Sequence, residues 1–309
     1  MGLDFSVRNN VEAMFAQRQA TLNNTSLTKA LERLSSGYRI NRASDDAAGL
    51  AVSERLRAQV RGLQQAGRNI QDGLSMIQVA EAGLTELNDI LQRMRELSVQ
   101  SANGIYTNSD RALIQLEVDQ LLNEINRSMT SIEFNKQKLL DGTFSSVSGT
   151  PLGGGSFVGS MVFHVGANTK QKFSTFISTT SVVSLGLNNL FSSSGAVTGN
   201  FTRPTLSVNS LGISRQDKAN SALAIIDSAI NKLVTRRSKL GAAFNRLEHT
   251  YNFVGIAAEN MQASESRIRD TDMAEEVINF TKAQVLVQAS QAMLAQANLK
   301  PTSILQLLS

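Results

Sequence analysis

Residues 34–52 read LSSGYRINRASDDAAGLAV, and they separate two stretches that are helical in pattern. Gly37 suits the end of a helix, because it adopts a positive φ without a Cβ clash. Ser44, Asp45 and Asp46 suit the start of a helix, because their oxygens accept hydrogen bonds from its free N–H groups and favour its positive dipole end. The stretch therefore predicts two helices joined through a short, defined break.

Beyond this break, three apolar stripes repeat every three or four residues. Such a repeat predicts long helices that pack as in a coiled coil. In the third stripe, steps of four and three alternate strictly, and Arg237 is its one polar member. We expect Arg237 either to fix the register of the helices by pairing with a carboxylate or to reach solvent at the edge of the stripe. The stripes comprise Leu56, Val60, Leu63, Gly67, Ile70, Leu74, Ile77, Ala80, Leu84, Leu87, Leu91 and Met94, of which only Gly67 is not a core-type residue; Ile114, Val118, Leu121, Ile125 and Ile132; and Ile226, Ile230, Leu233, Arg237, Leu240, Phe244, Leu247, Tyr251, Val254, Ala258 and Met261.

The centre of the chain differs in composition. Residues 143–215 hold ten of the 21 Gly and seven of the 13 Phe, with the short β-type runs SMVFHV and KFSTFIS between turn residues. The sequence thus predicts a mainly α fold: a long, antiparallel, coiled-coil-like bundle formed by the N- and C-terminal halves, with a small β-rich central segment. The predicted domains are inner terminal helices at 1–45 and 270–309; a helical rod at 46–142 and 216–269; and a β-hairpin surface segment at 143–215. A connection at about 35–50 is expected to join the terminal helices to the rod.

The two terminal segments are also helical in pattern, but they are weakly amphipathic. Isolated helices of this kind are only marginally stable without tertiary packing. We therefore expect both ends to become ordered when other copies of the protein pack around them. The residues expected to form this terminal assembly face are Val7, Val11, Met14, Val287, Leu294, Ile304, Leu305 and Leu308.

Composition and charge argue against several classes of protein. Without Cys, the chain forms no disulfide and no thiolate-based metal site. Residues 143–216 hold four of the 30 basic residues and no acidic one, so 26 basic residues face 26 acidic ones elsewhere. Scattered basic residues do not form a phosphate-binding stripe, and we expect no nucleic-acid partner. The first residues, MGLDFSVRNN, lack the apolar core of a signal peptide, and no apolar run has the length of a membrane span.

Catalytic motifs are not evident in the sequence. His164 lies in a β-type run and His249 on a predicted helix, and neither has a recognisable catalytic or metal-ligating partner. The pattern HExxH, the phosphate-binding loop and the dinucleotide fingerprint do not occur. The adjacent Asp45 and Asp46 are more typical of helix capping than of metal binding. We therefore expect no enzyme activity, no cofactor and no metal site.

Two long motifs carry a family resemblance. The stretch LSSGYRINRASDDAAGLAVSERLRAQVRGLQQAGRNIQDGLSMIQVAEAGLTELNDILQRMRELSVQSANG resembles the N-terminal half of bacterial flagellins. The stretch ENMQASESRIRDTDMAEEVINFTKAQVLVQASQAMLAQANLKPTSILQLLS resembles their C-terminal half. NGIYTNSDR and FHVGAN are most similar to the spirochaete-type core flagellins of periplasmic filaments. The central residues do not match the large insertions of long flagellins.

The resemblance implies a structural subunit that polymerises into a helical flagellar filament for motility. In this family the paired terminal helices form the inner layer of a tube and the central bundle forms the next layer. The segment around Gly37, Asp45 and Asp46 would be the spoke between these layers. The resemblance also implies export of the unfolded chain by a type III apparatus, with an export chaperone and hook-associated junction and cap proteins as partners. The filament would be extracellular, or alternatively periplasmic.

A further implication concerns recognition by animal hosts. The Toll-like flagellin receptor recognises the family's LQRxRELxxQ helix together with a Glu on the next helix. Here the motif reads LQRMRELSVQ, and the matching positions are Arg93, Leu97 and Glu117. The resemblance implies that these residues serve first in contacts between neighbouring subunits and only incidentally in receptor binding.

Two alternatives belong beside the filament subunit. A hook–filament junction protein shares the terminal helices but caps one layer of subunits, and it usually matches the C-terminal motif less well. A flagellin-like scaffold with a protease insert would carry a central HExxH, which this sequence lacks.

Overall fold

The computed structural model describes residues 10–144, 159–190 and 212–308, except for the side chains of residues 188, 189 and 300–308. Within these residues the fold is mainly helical, as predicted. In chain order the elements are α1 (Val11–Ser36), α2 (Ala47–Ala102), α3 (Asn108–Ser131), β1 (Glu133–Phe134), β2 (Gln137–Lys138), β3 (Met161–His164), β4 (Lys172–Thr175), α4 (Val182–Leu185), a 3₁₀ turn (Leu187–Leu190), α5 (Gln216–Arg269) and α6 (Met273–Leu308).

The chain divides into two compact units. One comprises residues 1–61 and 258–309, and the other comprises residues 62–257. The first unit contains α1, α6 and the breaks beside them, and the second contains α3, the strands and the larger parts of α2 and α5. The division into three domains with boundaries near residues 45 and 270 stays a prediction.

The apolar stripe of α2 is buried at most of the predicted positions, whereas Leu56, Gly67 and Leu74 are only half-buried. The larger side chains at the buried positions are almost fully withdrawn from solvent, and each of them contributes about 1.5–3 kcal/mol when it is buried completely. The buried members are Val60, Leu63, Ile70, Ile77, Ala80, Leu84, Leu87, Leu91 and Met94.

The buried face of α5 differs in part from the predicted stripe. Every seventh residue is buried as predicted, namely Ile226, Leu233, Leu240, Leu247 and Val254. Ala222, Ala229 and Ala243, each four residues before one of these, are also buried, whereas Ile230 and Phe244 are only half-buried. The helix is therefore rotated relative to the predicted stripe, so that its alanines face the interior. Ile230 and Phe244 lie at the edge of this buried side.

This rotation of α5 changes the role of its arginines. Arg237 lies at the edge, where its Nη2 is 2.8 Å from Oε1 of Glu81. Arg237 thus pairs with a carboxylate, but it does so outside the buried row. Arg236 lies nearer the interior, donates to the Ser184 hydroxyl at 3.5 Å, and has a lowered pKa because burial disfavours its charged form.

Two short hairpins follow α3. Strands β3 and β4 pair antiparallel with Phe163 opposite Phe173, as the two β-type runs predicted. Strands β1 and β2 also pair as a hairpin, although the sequence pattern predicts a helical rod over residues 46–142, which include them. The two turn residues of this hairpin, Asn135 and Lys136, have φ values of 49° and 63°, the conformation that a tight two-residue hairpin requires.

Candidate assembly surfaces

The predicted break lies between α1 and α2, and Gly37 ends α1 as expected. Gly37 has a φ of 73°, in the left-handed region, and its N–H donates to the Arg33 carbonyl at 2.8 Å. This geometry satisfies one of the carbonyls that remain unpaired at the end of a helix.

Asp45 and Asp46 have different roles, although both were expected to cap the next helix. Asp46 caps α2, because its Oδ1 accepts the Gly49 N–H at 2.8 Å. Asp45 instead holds the preceding loop: its Oδ2 accepts the N–H groups of Asn41 and Arg42, and its Oδ1 is 2.9 Å from Nζ of Lys29. The Lys29 hydrogen bond and these N–H groups lower the pKa of Asp45.

The break also pairs with the junction between α5 and α6. Tyr38 and Asp270 form an antiparallel bridge. The Arg39 N–H donates to the Arg269 carbonyl at 2.7 Å, and the Thr271 N–H donates to the Gly37 carbonyl at 3.0 Å. Two interruptions far apart in the sequence are thus joined by backbone hydrogen bonds.

Arg269 is the central side chain of this junction, and the sequence analysis did not identify it. Its guanidinium stacks 4.8 Å above the Tyr38 ring, and its Nη1 donates to Oε1 of Glu54 at 2.6 Å. The hydrogen bond from Arg269 lowers the pKa of Glu54. The charged run around Arg269 could have suggested an ion pair, but a contact across 215 positions leaves no local pattern.

Helices α1 and α6 pack side by side through a row of mainly small or polar residues. Their less exposed positions alternate in steps of three and four on both helices, as in a two-stranded coiled coil. Asn23 is the buried polar member on α1; its Nδ2 donates to the Ser290 hydroxyl at 2.6 Å and to the Leu286 carbonyl at 3.3 Å. We define the seam as Ala13, Ala16, Ala20, Asn23, Leu27, Ala30 and Leu34 of α1 with Glu276, Phe280, Ala283, Val287, Ser290, Leu294 and Ala297 of α6.

The residues expected to form one terminal assembly face are divided between two environments. Val287 and Leu294 are half-buried in the seam, whereas Val11 and Met14 are each 68% exposed. Val7 lies outside the described residues, and so do the side chains of Ile304, Leu305 and Leu308.

Large apolar side chains also lie outside the seam on both helices. We define the outer face as Val11, Met14, Phe15, Leu22 and Leu31 of α1 with Val277, Ile278, Val285, Leu286 and Met293 of α6. Along one flank, Val11, Phe15, Leu286 and Met293 line a groove of about 690 Å³ between the two helices. An exposed groove lined by apolar side chains commonly marks a site of association.

Of the three residues predicted to contact a partner, Arg93 and Leu97 lie on α2 and Glu117 lies on α3. Nε and Nη2 of Arg93 donate to Oε1 of Glu117 at 3.0 and 2.8 Å, so an exposed ion pair joins the two helices. The bond to Glu117 raises the pKa of Arg93. Leu97 is 2% exposed and belongs to the core. The role of Leu97 in contact with a partner stays a prediction.

The two histidines lie apart from any recognised chemical site. His164 belongs to β3, where its backbone carbonyl accepts a hydrogen bond from Asn69, and His249 is exposed on α5. Among the described residues, no group of three or more His, Cys, Asp or Glu side chains could hold a metal ion. No helix in the described ranges is long and apolar enough to cross a membrane.

Both helical regions of the chain match a known protein family. Residues 7–145 match the family model for the bacterial flagellin N-terminal helical region, and residues 223–308 match that for the C-terminal helical region. The chain is 48% identical over 302 residues to the flagellar filament 33 kDa core protein of Treponema phagedenis, covering 98% of this chain and 99% of that protein. It is 49% identical over 302 residues to a flagellar filament core protein of Brachyspira hyodysenteriae, with the same coverage. It is 44% identical over 308 residues to the flagellin of Bacillus subtilis, again with 98% and 99% coverage. Both helical regions and nearly the whole length agree, and the chain belongs to the bacterial flagellin family.

Proposed function

We propose that this flagellin polymerises through its paired terminal helices. Members of the family are structural proteins, and this chain is a structural subunit of the flagellar filament. We further propose that it carries out no catalysis. The observation that supports this proposal is the arrangement of α1 and α6: small or polar residues fill most of their seam, while further large apolar residues lie on the outer face.

The outer face suits helices of neighbouring subunits. Each CH₂ group that leaves water contributes about 0.8 kcal/mol, and this gain is available only when other chains cover the face. The groove beside Phe15 and Met293 is open along one flank of the pair. A helix from another copy that presents apolar side chains there would complete a bundle of three or more helices.

Substitution of the outer face tests this proposal. We expect the double variant Phe15→Gln with Met293→Gln to keep the helical content of the native chain, because both side chains already lie in water, and to lose seeded filament growth. Val162→Gln is the matched control, because it also removes an exposed apolar side chain but lies on β3. Filaments of normal length from the double variant would contradict the role of this face.

The hook–filament junction protein remains the alternative function. The identities of 44–49% over nearly the full chain are with filament core proteins and a flagellin, which favours the filament subunit. The two functions differ in growth: a filament subunit elongates a seed continuously, whereas a junction protein stops after one layer. The length distribution of seeded products distinguishes them.

We also propose partners for the chain before and after assembly. An export chaperone would cover the apolar C-terminal helix before secretion, and a truncated chain without residues 290–309 should lose affinity for it. Hook-associated junction and cap proteins would contact the ends of the filament.

Host recognition would use the surface around Arg93 and Glu117. Glu117→Lys should weaken signalling by the Toll-like flagellin receptor, because it replaces the carboxylate of the ion pair with a second cation. Unchanged signalling would exclude Glu117 from this contact.

The proposed location is a secreted filament outside the cell, with a periplasmic filament as the alternative. The matches to Treponema and Brachyspira core proteins favour the alternative. Protease treatment of intact cells separates the two, because only an extracellular filament is digested while the outer membrane is intact.

A further inference from the structure

The turn between α2 and α3 contains the dipeptide Asn103–Gly104, the one Asn-Gly pair in the sequence. It directly follows the last residue of α2, and both residues are exposed. Because Gly104 has no Cβ, its backbone nitrogen can approach the side-chain carbon of Asn103 with little hindrance. The Oδ1 atom of Asn103 accepts the Ile105 N–H at 3.3 Å. This hydrogen bond polarises the side-chain carbonyl, whose carbon the Gly104 nitrogen would attack. This arrangement favours closure of Asn103 into a cyclic imide.

A buried arginine lies against the other carbonyl of Asn103. Arg111 is 6% exposed, and its Nη2 donates to the backbone oxygen of Asn103 at 3.0 Å. Its remaining bonds go to the Ser101 carbonyl at 2.8 Å and to Oδ1 of Asn108 at 3.2 Å. All three acceptors are neutral. The adjacent Asp110 carboxylate is hydrogen-bonded to Thr107, which lowers the pKa of Asp110, and its attraction to Arg111 helps to lower this pKa without a hydrogen bond between the two side chains. A buried guanidinium gains most from an anionic acceptor.

We propose that Asn103 is a site of non-enzymatic deamidation and that Arg111 directs the product to isoaspartate. In the first step, the Gly104 nitrogen forms a bond to Cγ of Asn103. The Cγ–Nδ2 bond breaks, and the displaced amine takes the Gly104 proton and leaves as ammonia. In the second step, water adds to the backbone carbonyl carbon of Asn103. The bond from this carbon to the Gly104 nitrogen breaks, the nitrogen regains a proton from the water, and the new carboxylic acid releases its remaining proton to solvent as it becomes a carboxylate.

Arg111 favours this direction of ring opening for an electrostatic reason. Attack on the backbone carbonyl carbon places negative charge on the oxygen that Arg111 already contacts, and a fixed donor at that position stabilises the charge. In isoaspartate the same oxygen belongs to the free carboxylate, so a neutral hydrogen bond becomes a charge-assisted one. Attack on Cγ would regenerate a normal backbone with aspartate, and the new charge would not fall on the oxygen that Arg111 holds.

The test compares the purified full-length chain in its folded state with the same chain in denaturant, both incubated at the same pH and temperature. Peptide mass spectrometry detects the replacement of NH₂ by OH as a gain of about 1 Da. Labelling by an isoaspartate-specific methyltransferase gives the share of isoaspartate. We expect the folded chain to gain this mass at residue 103, with a larger isoaspartate share than the denatured chain, in which Arg111 is not held in place.

Two variants sharpen the test. Asn103→Gln should lose the mass gain in this peptide. Arg111→Lys should retain the gain but lower the isoaspartate share toward the denatured value, because an ammonium lacks the planar fork of donors. If Arg111→Lys fails to fold, the comparison of the native chain in its folded and denatured states still tests whether the fold raises the isoaspartate share. No mass gain in the folded chain while the denatured chain gains it, or equal isoaspartate shares in both, would overturn the proposal.

Discussion

At the scale of single residues, the break after α1 depends on backbone conformation and on carboxylate hydrogen bonds. Gly37 has a positive φ although there is open space where a Cβ would lie. The requirement for glycine is therefore conformational and not a matter of packing. For an L-residue the left-handed conformation costs about 1–2 kcal/mol.

Gly37→Ala should accordingly lower the free energy of unfolding by about 1 kcal/mol. Gly255→Ala is the control, because Gly255 lies within α5, has no positive φ and also has open space around it. That change should raise stability by about 0.5–1 kcal/mol, as expected for glycine in a helix interior. Denaturant unfolding followed by circular dichroism measures both, and equal effects of the two changes would show that the conformation of Gly37 is unimportant.

Asp45 makes a prediction about pH. Its pKa is lower in the folded chain than its ordinary value of 3.8, chiefly because of the Lys29 hydrogen bond. The stabilisation is therefore fully present above the ordinary value and is lost as the pH falls through the lowered folded value. Asp45→Asn should be less stable than the native chain at neutral pH, and the difference should vanish in acid below the folded pKa. Melting curves across this range give the answer, and a difference that persists in strong acid would exclude the carboxylate as its cause.

At the scale of elements, the α1–α6 pair should be the least stable part of the unassembled chain. Much of its seam is Ala, Ser or Asn, so few large side chains are removed from water between the two helices. Limited proteolysis of the monomer should therefore trim residues 1–40 and 270–309 first and leave a core near residues 45–265. Polymerisation should protect the trimmed sites. Ends that resist protease as well as the core does in the monomer would contradict assembly-coupled folding.

The periodicity of α2 and the α-rich class were predictable, because a repeat of three and four residues is a local property of the chain. The burial of Ala229 in place of Ile230 was harder to predict. The two residues are adjacent in the sequence, and only the tertiary packing of α5 decides which of them faces the interior. The junction of Tyr38, Glu54 and Arg269 could not be predicted at all from spacing. It arises from tertiary pairing of two helix breaks and involves ordinary surface residue types. The burial of Leu97 was missed because a family motif gives the sequence position of a residue and not its exposure.

At the scale of the whole molecule, the structure is that of a subunit whose apolar surface is incompletely covered. The outer face of α1 and α6 would be an aggregation liability in an isolated chain, and association of copies would cover it. The family relationship and this surface both support the proposal of a polymer built through the terminal helices.

Seeded assembly of the full chain and of a chain lacking residues 290–309 tests this central claim most directly. Light scattering and electron microscopy follow filament growth, and circular dichroism follows melting of the helical core. Residues 62–257 form a compact unit of their own, so the truncation should leave the melting of the core largely unchanged. We predict helical filaments from the full chain and none from the truncated chain. Filaments of normal length from the truncated chain would contradict the account.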